Sequence, residues 1–204
     1  MEINGFVIEA GAKLAGADLP AADLSGARLA YADLNEADLT ESDLSEASLH
    51  SANLTEAKLS MSNLSRANLD SANLVRADLT KANLTSSKLV YANFKGADLT
   101  DADLTDADLT SADLDGADLT GADLTGAKIS MATLREAHLK GANLKGASLR
   151  FASLKGASLE EANLKGADLT GADLTRADLT DSKLDGAKFH KTTMPDGSAS
   201  KTLT

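Results

Sequence analysis

Residues 97–126 read ADLTDADLTDADLTSADLDGADLTGADLTG: a small residue, an Asp, a Leu and two variable residues, repeated without a break. The same register runs far beyond this stretch. From Ala12 a small residue returns every five positions to Ala187, always Ala except for Ser42, Ser62, Ser87 and Ser182. Two places after each stands a large apolar residue, Leu14 through Phe189. All 36 of these central positions are Leu except Phe94, Ile129 and Phe189, with no insertion or deletion.

A period of five fits neither regular element. On an α-helix it would carry the leucines around every face. Along a continuous strand an odd period would place successive leucines on opposite faces. The pattern becomes coherent when each unit is a short extended piece followed by a bend. The small residue and the Leu, two apart, then point inward together and the polar residue between them points outward. The two remaining residues, mostly Thr, Ser, Gly, Glu, Asp, Lys or Arg, turn the corner. Ala is required because the interior is too narrow for a second large side chain.

Composition agrees with such a chain. Aromatics are 3% and Trp is absent, so Leu and Ala must supply the apolar core. With no Cys there are no disulfides and no thiolate metal sites. A net charge of −11 opposes direct binding to nucleic acid or to an anionic membrane. No apolar run is long enough to span a bilayer, and residues 1–15 lack the basic start and apolar stretch of a signal peptide, so a cytoplasmic location is expected.

The five-residue motif resembles that of the pentapeptide-repeat family: a small residue, Asp or Asn, Leu or Phe, then two variable residues. The resemblance covers Ala12 to about Lys191. It implies an all-β fold, a right-handed quadrilateral parallel β-helix in which four units close one coil, giving about nine coils. On this reading residues 1–11 form an N-terminal cap, 12–191 the β-helix, and 192–204 a C-terminal cap and tail, with fraying expected over 198–204. The stretch TTMPDGS (192–198) resembles the C-terminal ends of many cyanobacterial members, and Pro195 cannot donate to a further ladder.

Positions 20 apart then stack into surface columns. Five final residues of units are bulky and apolar: Tyr31, Met61, Tyr91, Met131 and Phe151. All but Met61 share one column. With Val90 and Arg150 beside them, Tyr31, Tyr91, Met131 and Phe151 are the candidate contacts for a protein partner. Charge is also segregated. Nine aspartates and no basic residue lie between Lys95 and Lys128, followed by a basic band of Arg135, Lys140, Lys145, Arg150, Lys155 and Lys165. Such a division could dock a charged partner. In another column, Asp23, Asp43, Asn63, Asn83, Asp103, Asp123, Asn143 and Asn163 should form amide ladders that relieve repulsion between stacked carboxylates.

Catalytic chemistry is not spelled out. His50 and His190 fall seven coils apart, His138 sits in another column, and no nucleophile triad, metal-ligand spacing or phosphate-binding loop can be assembled. The expected function is a noncatalytic, cofactor-free interaction scaffold for a protein partner, acting as a monomer or as a homodimer through an end or the apolar column. The alternative is a DNA mimic, since some family members protect DNA gyrase from quinolones. That branch resembles a Phe-rich, loop-bearing pattern with a dimerising C-terminal helix, whereas this chain is Leu-centred, loopless and ends in a Pro-Gly tail.

Overall fold

The computed structural model describes residues 2–200. Met1 and 201–204, parts of the expected cap and tail, lie outside the described residues. From Lys13 onward the polar residue of each unit pairs in parallel with the residue twenty positions later: Lys13 with Asp33, Asp18 with Asp38, Asp23 with Asp43, Arg28 with Ser48, and so on to Asp173 with Thr193. Four units therefore complete a coil, and the chain winds as a parallel β-solenoid with four faces. Each corner is named here after a residue at its second position: the Gly16, Ala21, Gly26 and Tyr31 corners.

Between neighbouring coils the same bonds recur on every face. The Leu14 amide donates to the Asp33 carbonyl at 2.7 Å, the Asp33 amide to the Ala12 carbonyl at 2.9 Å, and the Gly16 amide to the Asn35 carbonyl at 2.8 Å. Each corner is closed by its own turn, as where the Ala17 amide donates to the Leu14 carbonyl at 3.0 Å. The second corner residue takes a positive φ, 66° at Gly16, 57° at Arg66 and 60° at Met131. That conformation costs a residue bearing a Cβ roughly 1–2 kcal/mol and is worst for β-branched side chains. The sequence obeys this rule: Thr is the commonest first corner residue, yet Thr, Val and Ile are absent from every second corner position between 16 and 191.

The polar residue before each Leu has a further task. Asp123 Oδ1 accepts the Thr125 amide at 2.9 Å and the Thr125 hydroxyl at 2.6 Å. Asp178 does the same with Thr180, and Asn53 with Thr55. The recurrent Asp-Leu-Thr is thus a turn in which the side chain satisfies the corner amide.

Inside, the alanines and leucines point inward as the periodicity requires, and from Leu24 to Leu174 the central residues are at most 1% exposed. Ser42, Ser62 and Ser87 are equally buried because each hydroxyl donates to the carbonyl of the Leu three residues earlier, at 2.7 Å. Among the described residues no buried side-chain N or O lacks a partner.

The two ends differ. At the N-terminus a hairpin of β1 (Glu2–Ile3) and β2 (Phe6–Val7) turns at Asn4-Gly5, whose φ angles are 52° and 81°. Ile3 and Phe6 pack against the core and Ile8 is buried. At the C-terminus Leu179, Leu184 and Phe189 are only partly buried. The chain folds back there: Thr193 pairs antiparallel with Ala199, and the Ser200 amide donates to the Thr192 carbonyl at 2.8 Å. Residues 198–200 are therefore hydrogen-bonded back onto the last unit. The Arg176 amide reaches the Pro195 carbonyl at 2.9 Å, so Pro195 accepts into the ladder although it cannot donate.

Urea unfolding checks both the interior and the corner. Leu104→Ala should lose about 2–5 kcal/mol and Ala102→Leu about 1–3 kcal/mol, the first by leaving a cavity and the second by overpacking. At the corner Lys145-Gly146, where a Cβ on Gly146 meets nothing within 4 Å but φ is 68°, Gly146→Val should cost roughly 1–2 kcal/mol. Lys145→Val, at the first corner position, should leave the urea midpoint nearly unchanged.

Candidate functional site

Positive φ at the second corner residue carries its side chain clear of the faces, so corners are where this rod displays large groups. On three corners these groups, Met61 apart, are charged: Glu36, Glu56 and Arg76 on the Gly16 corner, Glu41, Lys81 and Asp101 on the Ala21 corner, Glu46, Arg66 and Asp106 on the Gly26 corner. The Tyr31 corner is different. From Tyr31 to Gly171 every twentieth residue is Tyr, Ser, Met, Phe or Gly, and none is charged.

Tyr31, Tyr91, Met131 and Phe151 are 65%, 68%, 56% and 59% exposed on that corner. Met61, also exposed, stands apart on the Ala21 corner between Glu41 and Lys81. Met131 and Phe151 occupy adjacent coils, Tyr91 lies two coils before Met131, and Tyr31 three coils before Tyr91. Val90 is half-buried beside Tyr91, and Arg150 is exposed beside Phe151.

Each aromatic end of this ridge is propped by neighbours. The His50 ring meets the Tyr31 ring edge-on, with centroids 5.0 Å apart, and His50 Nδ1 is 3.1 Å from Ser48 Oγ. The Arg150 guanidinium lies 5.6 Å from the centre of the Phe151 ring and donates to Asp168 at 3.0 Å. The Phe151 ring leans across Gly171, where any Cβ would collide with it. The single carboxylate at the first position of this corner, Asp70, accepts the Val90 amide at 2.9 Å. The sequence carried the signal for an uncharged corner, visible on taking every twentieth residue, but the props depend on side-chain directions that spacing does not reveal.

The basic band is less a free charge than its sequence suggests. Arg135 clasps Asp115, Lys140 pairs with Glu160, Arg150 with Asp168, Lys155 with Asp173 and Lys165 with Asp185. Most of these pairs are exposed and individually weak. Together they return the band towards neutrality, leaving Lys145 without an ion pair among the described residues. In the acidic coils, among the described residues, only Asp108 and Asp115 of the nine aspartates meet a cation, Lys128 and Arg135. The amide ladder forms where Asn63 donates to Asp43, Asn143 to Asp123 and Asn163 to Asn143, at 3.0, 3.2 and 2.9 Å.

Reactive groups are not gathered. Among the described residues no group of three or more His, Cys, Asp or Glu could hold a metal ion. The surface depressions are open troughs beside corner glycines, one along Lys95, Asp115, Gly116 and Arg135, another along Lys155, Gly156 and Arg176. Among the described residues no helix is long and apolar enough to cross a membrane.

A four-faced coil of twenty residues with an inward Ala and Leu in each unit defines a solenoid repeat protein. The Pentapeptide repeats family matches residues 10–45, 22–60, 62–101, 102–141, 130–166, 142–181 and 157–194, and the chain belongs to that family. Among curated proteins there is no match. Of solved structures, it is similar to HetL, a pentapeptide repeat protein involved in heterocyst differentiation regulation from the cyanobacterium Nostoc sp. strain PCC 7120. The identity is 36% over 91% of this chain and 90% of HetL, with a TM-score of 0.58. It is also similar to Rfr23 from the cyanobacterium Cyanothece 51142, at 41% identity over 50% of this chain and 64% of Rfr23, with a TM-score of 0.38. A third similarity is to a trypsin-treated variant of QnrB1, a plasmid-mediated fluoroquinolone resistance protein. There the identity is 20% over 67% of this chain and 83% of that one, with a TM-score of 0.38.

The turn bonds tune the aspartates. Burial pushes the Asp123 carboxyl up, but the Thr125 hydroxyl and amide and the Asn143 amide outweigh it and hold it below the usual aspartate value. Asp168 and Asp173 show the same balance, with Thr170 and Arg150 opposing burial in one and Thr175 and Lys155 in the other. In Asp38 the Thr40 hydroxyl and amide lower the value directly. A carboxylate depressed in the folded state stabilises the fold above its unfolded value, about 3.9, and that contribution fades as pH falls through the lowered value. The melting temperature should therefore hold from neutral pH to about pH 5 and fall below about pH 4. Asp123→Asn, which keeps the acceptor oxygen, should soften the acid loss, whereas Asp123→Ala should lower the melting temperature at every pH.

Proposed function

We propose that this protein is a noncatalytic interaction rod that presents its Tyr31 corner to a protein partner. One observation carries this reading: in a chain of net charge −11, the second positions of a single corner stay uncharged from Tyr31 to Gly171 and bear four exposed apolar side chains. Exposed Tyr, Phe and Met in line are the side chains favoured at the centres of protein contacts. A rod of stacked coils holds them at fixed spacing with little entropy left to lose on binding. The similarity to HetL, which is involved in heterocyst differentiation regulation, supports a regulatory role exerted through contact.

Mimicry of DNA finds less support. The acidic coils give way at Arg135 to the basic band, which interrupts the continuous negative footprint that such mimicry calls for.

Tyr91→Ala/Phe151→Ala removes two exposed side chains, so the thermal melt should be nearly unchanged. Capture from native lysate should lose the partner held by the wild-type rod, each truncation weakening binding roughly ten-fold for about 1–2 kcal/mol. Met61→Ala, off the corner, should retain it. The same partners recovered by all three proteins would remove the Tyr31 corner as the contact surface.

A further inference from the structure

The three aromatics of the Tyr31 corner are evenly spaced. Tyr31, Tyr91 and Phe151 are separated by sixty residues each time, which is three coils. At about 4.8 Å per coil the interval is about 14 Å. An α-helix returns to the same face at roughly 10.5 and 16.5 Å, so its side chains drift out of step with this spacing. Another rod of the same rise stays in step along its whole length.

We infer that the occupant of this corner is a second copy of the chain, lying antiparallel along it about a twofold axis at Tyr91. This deepens the proposed function, whose contact surface it takes as given. About that axis Tyr91 meets Tyr91 of the second copy, and Tyr31 meets Phe151 of the second copy at both ends of the contact. Between them Ser71 faces Ser111 and Ser51 faces Met131, leaving room for the larger side chain. The arrangement is isologous, as a closed dimer demands.

Charge agrees with this register. On the face after the corner, Lys13 stands opposite Asp173, Asp33 opposite Ser153 and Asp113 opposite Asn73. On the face before it, Asp108 stands opposite Asn68. At the corner itself Asp70 stands opposite Thr110. No carboxylate of the corner or of its two flanking faces opposes another, although each chain carries −11. Sliding one copy by a single coil in one direction brings Asp33 opposite Asp173 but also Lys88 opposite Asp108 and Arg28 opposite Asp168, so charge does not exclude it; that register loses the apolar match, because Tyr31 then faces Gly171, Tyr91 faces Ser111 and Phe151 faces Ser51. A slide of two coils brings Asp113 and Asp108 each opposite itself, like-charge contacts that disfavour it. A single coil in the other direction leaves Phe151 facing Gly11 in place of an aromatic ring. Lys88 meets its own copy in the favoured register, on a long side chain free to swing outward. The strip from Tyr31 to Phe151 is about 29 Å long and one corner wide. That is less than the roughly 800 Å² per partner of a standard stable interface, so the dimer forms and parts with concentration.

The chain contains no cysteine, so single introduced thiols report the register directly. Under a mild oxidant, full-length Tyr91→Cys should become a disulfide-linked dimer. The double variant Ser71→Cys/Ser111→Cys should do so as well. Ser111→Cys alone should not, because its two thiols would sit two coils apart. Ser86→Cys, exposed on the Gly26 corner, gives the background of random collision. Sedimentation velocity should show wild-type mass rising towards a dimer with concentration and Tyr91→Arg remaining a monomer. Linkage of Tyr91→Cys no faster than Ser86→Cys, or of Ser111→Cys as fast as Tyr91→Cys, would overturn the antiparallel pairing. A wild type that stays monomeric while Tyr91→Ala/Phe151→Ala still loses its captured partner would also overturn self-pairing, yet leave the corner as a contact surface for another protein.

Discussion

The interior admits one leucine and one alanine per face, and that allowance governs the rest of the molecule. Three residues are enough to place both side chains inside, after which the chain must turn before a second large group arrives. Each face therefore contributes only a single paired position per coil, too little for a strand to be stable alone. Stability comes from repetition along the axis, each coil holding its neighbours through the Leu amide, the polar-residue amide and the second corner amide. Leucine burial, about 1.5–3 kcal/mol for each side chain, offsets the conformational cost of a corner that forces most of its second residues into an unfavourable φ.

The same economy sorts the surface into two kinds of position. Residues before the Leu and at the first corner position are bound into the turn, as Asp123 is with Thr125, and their chemistry is largely committed to the fold. The second corner residue is constrained only against β-branching, and its side chain projects into solvent. Identity at that position is thus the freest variable in the chain. A row of second corner residues without charge in so acidic a protein is the most informative departure on its surface.

Sequence alone reached the inward leucines and alanines, because a period of five excludes the helix and the continuous strand on geometry. It did not reach the number of faces, since nothing in a five-residue unit says how many units close a coil; the family resemblance supplied that. The hairpin of Glu2–Ile3 and Phe6–Val7 is legible at Asn4-Gly5, a turn pair flanked by apolar residues that lies outside the repeat register. The pairing of the basic band was hidden for a different reason. Arg135 and Asp115 belong to different coils, and whether a long cation reaches back or forward depends on rotamers rather than spacing. Tyr31, Tyr91, Met131 and Phe151 do fall on one corner, as their spacing predicts, while the role of Gly171 does not show in spacing because it lies in what the residue lacks beneath the Phe151 ring.

The unbroken five-residue register also sets how such a chain can change length. Loss or gain of one unit leaves every interior leucine seated but rotates all that follows by a quarter of a circumference, so Phe151 would leave the line of Tyr31 and Tyr91. Only a change of twenty residues restores the angular phase, and even then the intervals along the axis are altered. Length and surface pattern in this molecule are therefore coupled like tooth count and timing in a gear: a duplication harmless to folding can still put the display out of step.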